Sequence, residues 1–195
     1  MALDVTIFHK LMVADTCSVW NVLSSRLLHS TSIGAGCFFS ITAFALYECL
    51  HKPRKKIQEA DLELQRRLQA ARAEGQFQSY SLDVADLQDV EVLRNRQRLS
   101  KGELAAIAFA KKTRQAFLTD DQRARLLAAT AIEQQLVQTT PQMLGWLVFI
   151  RRLGDSDVPG IIDEHEKFQR PLKPYFDAMH EEGLRRRLMT TPSTP

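Results

Sequence analysis

Acidic residues follow predicted strands or lie near the starts of predicted helices, where they could hold a cation. Asp15 follows the apolar run LMVA, and Asp120 and Asp121 follow the run AFLT. Glu103 lies at the start of a helix with one apolar face, and Glu48 lies about two turns into another. Carboxylates without His or Cys suit Mg²⁺ or Mn²⁺. Because clustered like charges are costly unless neutralised, a cluster of these acids would imply such a metal.

The stretch from LSKGELAAIAFAKK to TDDQRAR is expected to bring several of these acids to one edge of the fold. Ser100 and Glu103 have the spacing of a capping box. The helix predicted over residues 102–114 is about 18 Å long, and the AFLT strand returns beside it. Glu103 then lies at the edge that carries Asp120 and Asp121, where an open α/β sheet places its ligand site. In a simpler alternative, Glu103 only caps its own helix and the aspartates only cap the next one.

The composition fits one well-packed globular domain, with or without an appendage. The chain has 195 residues, of which 45% are hydrophobic and 25% charged, and its formal net charge is +3. This charge is compatible with a nucleic-acid partner but does not require one. Cys17, Cys37 and Cys49 have no CxxC spacing. They argue against a disulfide framework and a zinc site, and they favour a reducing cytoplasm.

The sequence argues against a membrane location. Asp4, His9 and Lys10 interrupt any apolar core of an N-terminal signal peptide. The segment at residues 33–47 carries no charge, but it is shorter than the roughly 20 apolar residues that span a bilayer. We expect it to be a buried strand that runs into a helix, with a membrane anchor as the less favoured alternative.

Predicted strands alternate with predicted helices along the chain, which indicates a parallel sheet with right-handed crossovers. The strands are predicted at residues 11–14, 38–41, 77–82, 116–119 and 136–139. The helices between them are predicted at residues 19–29, from 42 onwards, 53–75, from 83 or 86 to 99, 102–114, from 121 onwards and 141–150, with a loop at 30–36. After Gly154 we expect short helical pieces broken by Pro159, Pro171 and Pro174, and then a disordered tail.

Four segments in this order, VADTCSVWNVL, ITAFALYECL, LSKGELAAIAFAKK and AFLTDDQRARLLA, resemble the PIN domain ribonucleases. That family includes the VapC-type toxins of bacterial toxin–antitoxin pairs. The resemblance implies a three-layer α/β/α fold with a central parallel sheet, here with an extra helical stretch and a C-terminal helical tail. We therefore predict a nuclease domain at residues 1–153, elaborated at about 53–98, and a helical extension at residues 154–195.

The resemblance also implies the chemistry. Acids of this family hold Mg²⁺ or Mn²⁺ and activate a water that attacks an RNA phosphodiester. The positions that match as catalytic residues are Asp15, Glu48, Glu103 and Asp121. The positions that match as metal ligands are Asp15, Glu103, Asp120 and Asp121. Between the two TDD aspartates Asp121 is favoured, Asp120 is the alternative, and Thr119 is expected to support the site.

RNA is the implied substrate, and basic residues at the rim of the site would position its backbone. Arg123 and Arg125 are the candidates, although for either one alone a solvated helix charge is the favoured interpretation. The basic runs at residues 54–56 and 185–187 allow the same two interpretations. An antitoxin or another protein, and a second copy of the chain, are further candidate partners. The apolar helix at residues 141–150 could contribute to a dimer interface or be wholly core.

Two other functions compete with the metal-dependent ribonuclease. One is a catalytically weak PIN-like module that binds protein or RNA through its long helix and C-terminal tail. The other is a phosphatase of the haloacid dehalogenase type, which also has an aspartate after its first strand. That chemistry needs a second aspartate two residues later, and this chain has Cys17 there, so we discount it.

Overall fold

The computed structural model describes residues 4–53, 58–83, 86, 88 and 99–190. Three sequence predictions fall wholly or largely outside these residues. They are the basic run at residues 54–56, most of the helix predicted to begin at Asp83 or Asp86, and most of the C-terminal tail.

The described residues form two compact units. The sheet unit contains residues 9–20 and the described residues between 37 and 139. The helical unit contains residues 4–8, 21–36 and 140–190. The domain boundary predicted between residues 153 and 154 stays a prediction.

The described residues contain five strands, which form an all-parallel sheet in the order β3-β2-β1-β4-β5. They are β1 (Leu11–Ala14), β2 (Phe38–Thr42), β3 (Gln78–Tyr80), β4 (Ala116–Leu118) and β5 (Val137–Gln138). The predicted α/β fold with a parallel central sheet is confirmed, and both outer strands are shorter than predicted.

The described parts of the chain also contain nine α-helices. They are α1 (Thr16–Ser24), α2 (Arg26–Gly34), α3 (Ala43–Leu50), α4 (Glu59–Ala73), α5 (Lys101–Thr113), α6 (Gln122–Ala131), α7 (Thr140–Phe149), α8 (Asp157–Lys167) and α9 (Lys173–Thr190). In the sheet unit, α3 and α5 contact the central strands and α6 contacts β5. Helices therefore flank the sheet.

Apolar side chains at the sheet centre hold β1, β4 and α5 together. Val13 and Phe117 lie opposite each other in the parallel register of β1 and β4. Both are fully buried and belong to one cluster with Ile107 of α5. Burial of a side chain of this size stabilises the fold by about 1.5–3 kcal/mol. This packing fixes the strand ends that carry the acidic residues.

The chain between β1 and β2 differs from the prediction of one helix over residues 19–29 and a loop over 30–36. Ser25 separates two helices, and α2 continues to Gly34. The Ser25 backbone is extended, and its hydroxyl oxygen accepts a hydrogen bond from the Leu28 N–H at 3.2 Å. This N-cap satisfies an amide that has no partner within the helix. Leu27, the second residue of α2, is 40% exposed.

The prediction of short helices broken by proline after Gly154 is wrong at two of its three prolines. Pro159 is the third residue of α8 and Pro174 is the second residue of α9. In a first helical turn, the N–H that proline lacks would have had no helical partner. Both helices therefore continue, and α9 reaches 18 residues. Pro171 does lie between the two helices.

Helix α7 is core. Each of its residues from Thr140 to Val148 is buried, which settles its role within the chain, whereas a homodimer stays a prediction.

No helix among the described residues is long and apolar enough to cross a bilayer. The uncharged segment at residues 33–47 forms the end of α2, the strand β2 and the start of α3, so the predicted strand that runs into a helix is confirmed.

Helices α7 and α9 approach closely in the helical unit because each has a glycine at the contact. A Cβ built on Gly145 would lie 2.7 Å from the carbonyl oxygen of Met179. A Cβ built on Gly183 would lie 2.6 Å from the carbonyl oxygen of Gly145. A methyl group at either position would have to push the two backbones apart.

We predict that Gly183→Ala lowers the free energy of unfolding by about 1–3 kcal/mol, because the new methyl group overlaps α7. Gly160→Ala in α8 is the matched control, since no atom lies within 4 Å of its Cβ position. That change should leave stability equal or raise it by up to about 1 kcal/mol. Urea denaturation followed by tryptophan fluorescence measures both. Equal effects of the two substitutions would contradict the close contact.

Candidate active site

The carboxyl ends of β1 and β4 meet where the strand order reverses. Ala14 pairs with Leu118 at the ends of these strands, so Asp15 and Thr119 follow side by side. From β1 the chain proceeds outwards to β2 and β3, and it then returns to the other side of β1 to form β4 and β5. In open parallel sheets, ligands bind in the crevice at such a reversal. The topology thus brings these two polar residues to the expected position of a ligand site.

The Asp15 carboxyl is fully buried at this point. Its Oδ1 accepts a hydrogen bond from the Ser18 backbone N–H at 2.7 Å, and its Oδ2 accepts one from the Thr119 hydroxyl at 2.5 Å. Burial raises the pKa of Asp15 from 3.8 to about 7, against the opposing effect of the hydrogen bonds from Thr119 and Ser18. The negative charge of Asp120 raises the pKa further. Asp15 therefore changes its charge near neutral pH.

Thr119 links the strand ends to the following helix. Its buried hydroxyl donates to Asp15 and accepts a hydrogen bond from the Asp121 backbone N–H at 3.2 Å. Its own backbone N–H donates to the carbonyl oxygen of Gln138 in β5 at 2.9 Å. Thr119 thus orients the Asp15 carboxyl, and its predicted role in supporting catalysis stays a prediction.

The two aspartates of the TDD motif have different surroundings. Asp121 is the N-cap of α6, and its Oδ1 accepts hydrogen bonds from the backbone N–H groups of Arg123 and Ala124 at 2.7 and 2.9 Å. The negative charge of Asp120 raises the pKa of Asp15. These surroundings favour Asp120 as the partner of Asp15, although the sequence interpretation favoured Asp121. Which of them binds a metal stays a prediction.

Glu48 forms a second group of contacts in the sheet unit. Its Oε2 accepts a hydrogen bond from the Thr16 hydroxyl at 2.8 Å, and its Oε1 lies 3.6 Å from the Lys52 Nζ. A Cβ built on Gly102 would overlap Glu48 Oε2, so a side chain at this position would require the Glu48 carboxylate to move. Glu48 is thus held beside Thr16, which is the residue that follows Asp15 in the chain.

Glu103 takes the capping role that its spacing predicted. Its Oε2 accepts a hydrogen bond from the Ser100 backbone N–H at 2.6 Å, and the Ser100 hydroxyl oxygen accepts one from the Glu103 N–H at 3.2 Å. The predicted capping box is therefore confirmed. The observed contacts of Glu103 are those of the simpler alternative, and its role as a metal ligand stays a prediction.

Two arginines follow Asp121 at the start of α6. Arg123 is exposed and Arg125 is half-buried, and their contact with phosphate stays a prediction. In the C-terminal basic run at residues 185–187, Arg185 and Arg186 both pair with Glu182, at 2.6 and 2.8 Å. Such pairs at helical spacing are typical of a solvated helix face.

The oxygen donors at the reversal point suit a hard divalent cation. Among the residues that the structure describes, no three His, Cys, Asp or Glu side chains converge as a metal-binding group. Asp15 and Asp120 nevertheless lie close enough for one charge to shift the pKa of the other. Mg²⁺ often uses one or two protein carboxylates and completes its shell with water and substrate phosphate. The oxygen chemistry of the pair is that of Mg²⁺ or Mn²⁺ ligands, and the bound metal and the larger acid set stay predictions.

A pocket of about 620 Å³ opens beside Glu48. It is lined by Ala43, Phe44, Tyr47, Glu48, Lys52, Ser100 and Lys101. No sequence motif predicted this pocket. Two signals were present in and just after α3. Phe44 and Tyr47 are three residues apart on one helix face, and Glu48 and Lys52 are four residues apart. The proximity of Ser100 and Lys101 depends on tertiary structure.

No protein-family model matches the chain, and no curated protein matches it in sequence. The resemblance to PIN domain ribonucleases therefore rests on the four sequence motifs.

We predict that Asp15 makes the protein less stable as pH rises from about 4 to about 7 in the presence of EDTA. The pKa of Asp15 is raised in the folded state, so the folded state binds the proton more tightly than the unfolded state and loses that advantage on ionisation. Asp15→Asn should remove this part of the pH dependence. Urea denaturation of both proteins across this pH range measures it. Parallel stability curves for the two proteins would contradict the assignment.

Proposed function

We propose that the chain is a PIN-like, metal-dependent endoribonuclease that hydrolyses RNA phosphodiester bonds with Mg²⁺ or Mn²⁺. The observation that supports this most strongly is the buried Asp15 carboxyl at the reversal point of the sheet. It accepts a hydrogen bond from the Thr119 hydroxyl, and the charge of Asp120 raises its pKa. A buried carboxyl near a second acid is costly when ionised, and a bound cation would offset that cost. The sequence resemblance favours RNA as the substrate.

Asp15 and Asp120 would hold the cation, while Thr119 and the Ser18 N–H would keep the Asp15 oxygens in one orientation. When bound, the cation supplies Lewis acidity that lowers the pKa of water and stabilises charge on phosphate. The carboxylates have no need to act as covalent nucleophiles. Burial of Asp15 keeps bulk water from competing for its oxygens.

Capping does not prevent Glu103 and Asp121 from contributing to the site. The caps use Glu103 Oε2 and Asp121 Oδ1, so each carboxylate has a second oxygen that can face a ligand. Glu48 would complete the acid set from the side of α3. Arg123 and Arg125 would contact the phosphates of RNA at the rim, where such contacts position the backbone without reading sequence.

A toxin of a toxin–antitoxin pair is the biological setting that the resemblance suggests, with an antitoxin and a second copy of the chain as partners. The second candidate function is a catalytically weak PIN-like module that binds protein or RNA. The capping roles of Glu103 and Asp121 favour this second candidate, because they give both acids a reason to be present without catalysis.

We predict that the purified protein cleaves a mixed RNA pool with Mn²⁺ or Mg²⁺ and that EDTA or Asp15→Asn abolishes cleavage. The substitution removes the charge at the buried position while it keeps the size of the side chain. Asp163→Asn, at an exposed position of α8, is the matched control and should cleave like the unmodified protein. Gel electrophoresis of labelled RNA gives the readout. Undiminished cleavage by Asp15→Asn would refute the proposed site, and absence of cleavage and of Mn²⁺ binding would favour the interaction module.

We predict that Asp120→Asn reduces cleavage by at least about a hundredfold, whereas Asp121→Asn reduces it far less. Loss of a charged metal ligand costs transition-state stabilisation of several kcal/mol, whereas asparagine retains the N-cap of α6. Initial rates at saturating Mn²⁺, together with Mn²⁺ titrations, distinguish the two. The opposite ranking would identify Asp121 as the ligand, as the sequence interpretation favoured.

A further inference from the structure

We infer that the pocket beside Glu48 receives one unpaired base of a single-stranded RNA substrate. This inference rests on the proposed ribonuclease function and specifies its substrate class. It would make the enzyme select single strands and loops, because a base paired in a duplex cannot enter a pocket.

The walls of the pocket are suited to a flat aromatic ligand. Phe44 and Tyr47 lie about one turn apart on α3, and both line the cavity. Their side chains are large and apolar, yet they are 39% and 51% exposed. Bases of any sequence stack on such rings, and each stacked base contributes about 1–3 kcal/mol to binding. Ala43 leaves room beside the rings.

The rim of the pocket carries charge that complements an RNA backbone. Lys52, just after α3, and Lys101, at the start of α5, both line the cavity. The Lys52 side chain is 57% exposed and lies 3.6 Å from Glu48 Oε1, and Lys101 is exposed at the first position of α5. Two ammonium groups around an aromatic wall match a base with its flanking phosphates. A purely apolar peptide would offer no negative charge to Lys101.

The pocket is also connected to the candidate active site. Glu48 lines the pocket and accepts a hydrogen bond from the Thr16 hydroxyl. Thr16 directly follows Asp15 in the chain. A nucleotide whose base enters the pocket beside Phe44 and Tyr47 would therefore have its sugar-phosphate chain close to the acidic residues. In this way the pocket would hold the substrate, while Asp15 and Asp120 would hold the cation that acts on the scissile phosphate.

The test measures binding of a short labelled single-stranded RNA by fluorescence anisotropy in EDTA, so that binding is separated from cleavage. Tyr47→Ala should raise Kd about tenfold through loss of stacking, and Tyr47→Phe should restore most of the affinity. Tyr175→Ala, which removes a 61% exposed tyrosine of α9 in the helical unit, should leave Kd unchanged. The same RNA annealed to its complement should bind more weakly than the single strand.

A second variant tests the rim. Lys101→Gln should weaken binding and reduce the slope of log Kd against log salt by about 0.7, the value for one phosphate contact of a single strand. An unchanged Kd for both Tyr47→Ala and Lys101→Gln would overturn the inference and leave the pocket to another ligand, such as a peptide of a partner protein.

Cleavage with Mn²⁺ then separates this inference from the proposed function. If the unmodified protein cleaves RNA and Tyr47→Ala retains its KM, the base pocket is refuted while the nuclease stands. If single-stranded RNA binds through Tyr47 and no RNA is cleaved, the base pocket is supported while the nuclease is refuted. A rise in KM that exceeds the fall in kcat supports both.

Discussion

The hydrogen bond from the Thr119 hydroxyl to the buried Asp15 carboxyl is the interaction on which the candidate site depends. It requires β1 and β4 to pair in the observed register, since a shift of one residue would turn each side chain to the opposite face. The register is in turn fixed by the buried packing of Val13 and Phe117. The apolar core thus determines which polar groups meet at the strand ends.

Hydrogen bonds at helix starts reduce the cost of the negative charge on three acids of the sheet unit. Asp15, Glu103 and Asp121 each accept a backbone N–H at the beginning of α1, α5 or α6. The amino end of a helix carries partial positive charge, which stabilises a carboxylate by about 0.3–1 kcal/mol at exposed positions. Capping therefore stabilises the same negative charge that a bound cation would neutralise, and it also explains these acids without one.

Local signals account for what the sequence could predict. The positions of the strands along the chain follow from apolar runs, and the Ser100–Glu103 capping box follows from spacing within a few residues. The break at Ser25 was missed because leucines on both sides continue the helical pattern. Spacing could not distinguish Asp120 from Asp121, because the two residues are consecutive. Their different surroundings depend on the direction that the backbone takes after β4. The approach of Glu48 to Gly102 joins distant segments, and only the folded chain reveals it.

The outer strand β3 has a consequence for association between molecules. It contains three residues, all exposed, so it presents only a short row of backbone groups beyond its pairing with β2. Long unpaired strand edges recruit strands of other chains and lead to aggregation. An edge of this length provides a poor template for such growth. Copies that meet at the β3 edge would therefore gain few backbone hydrogen bonds by extending the sheet.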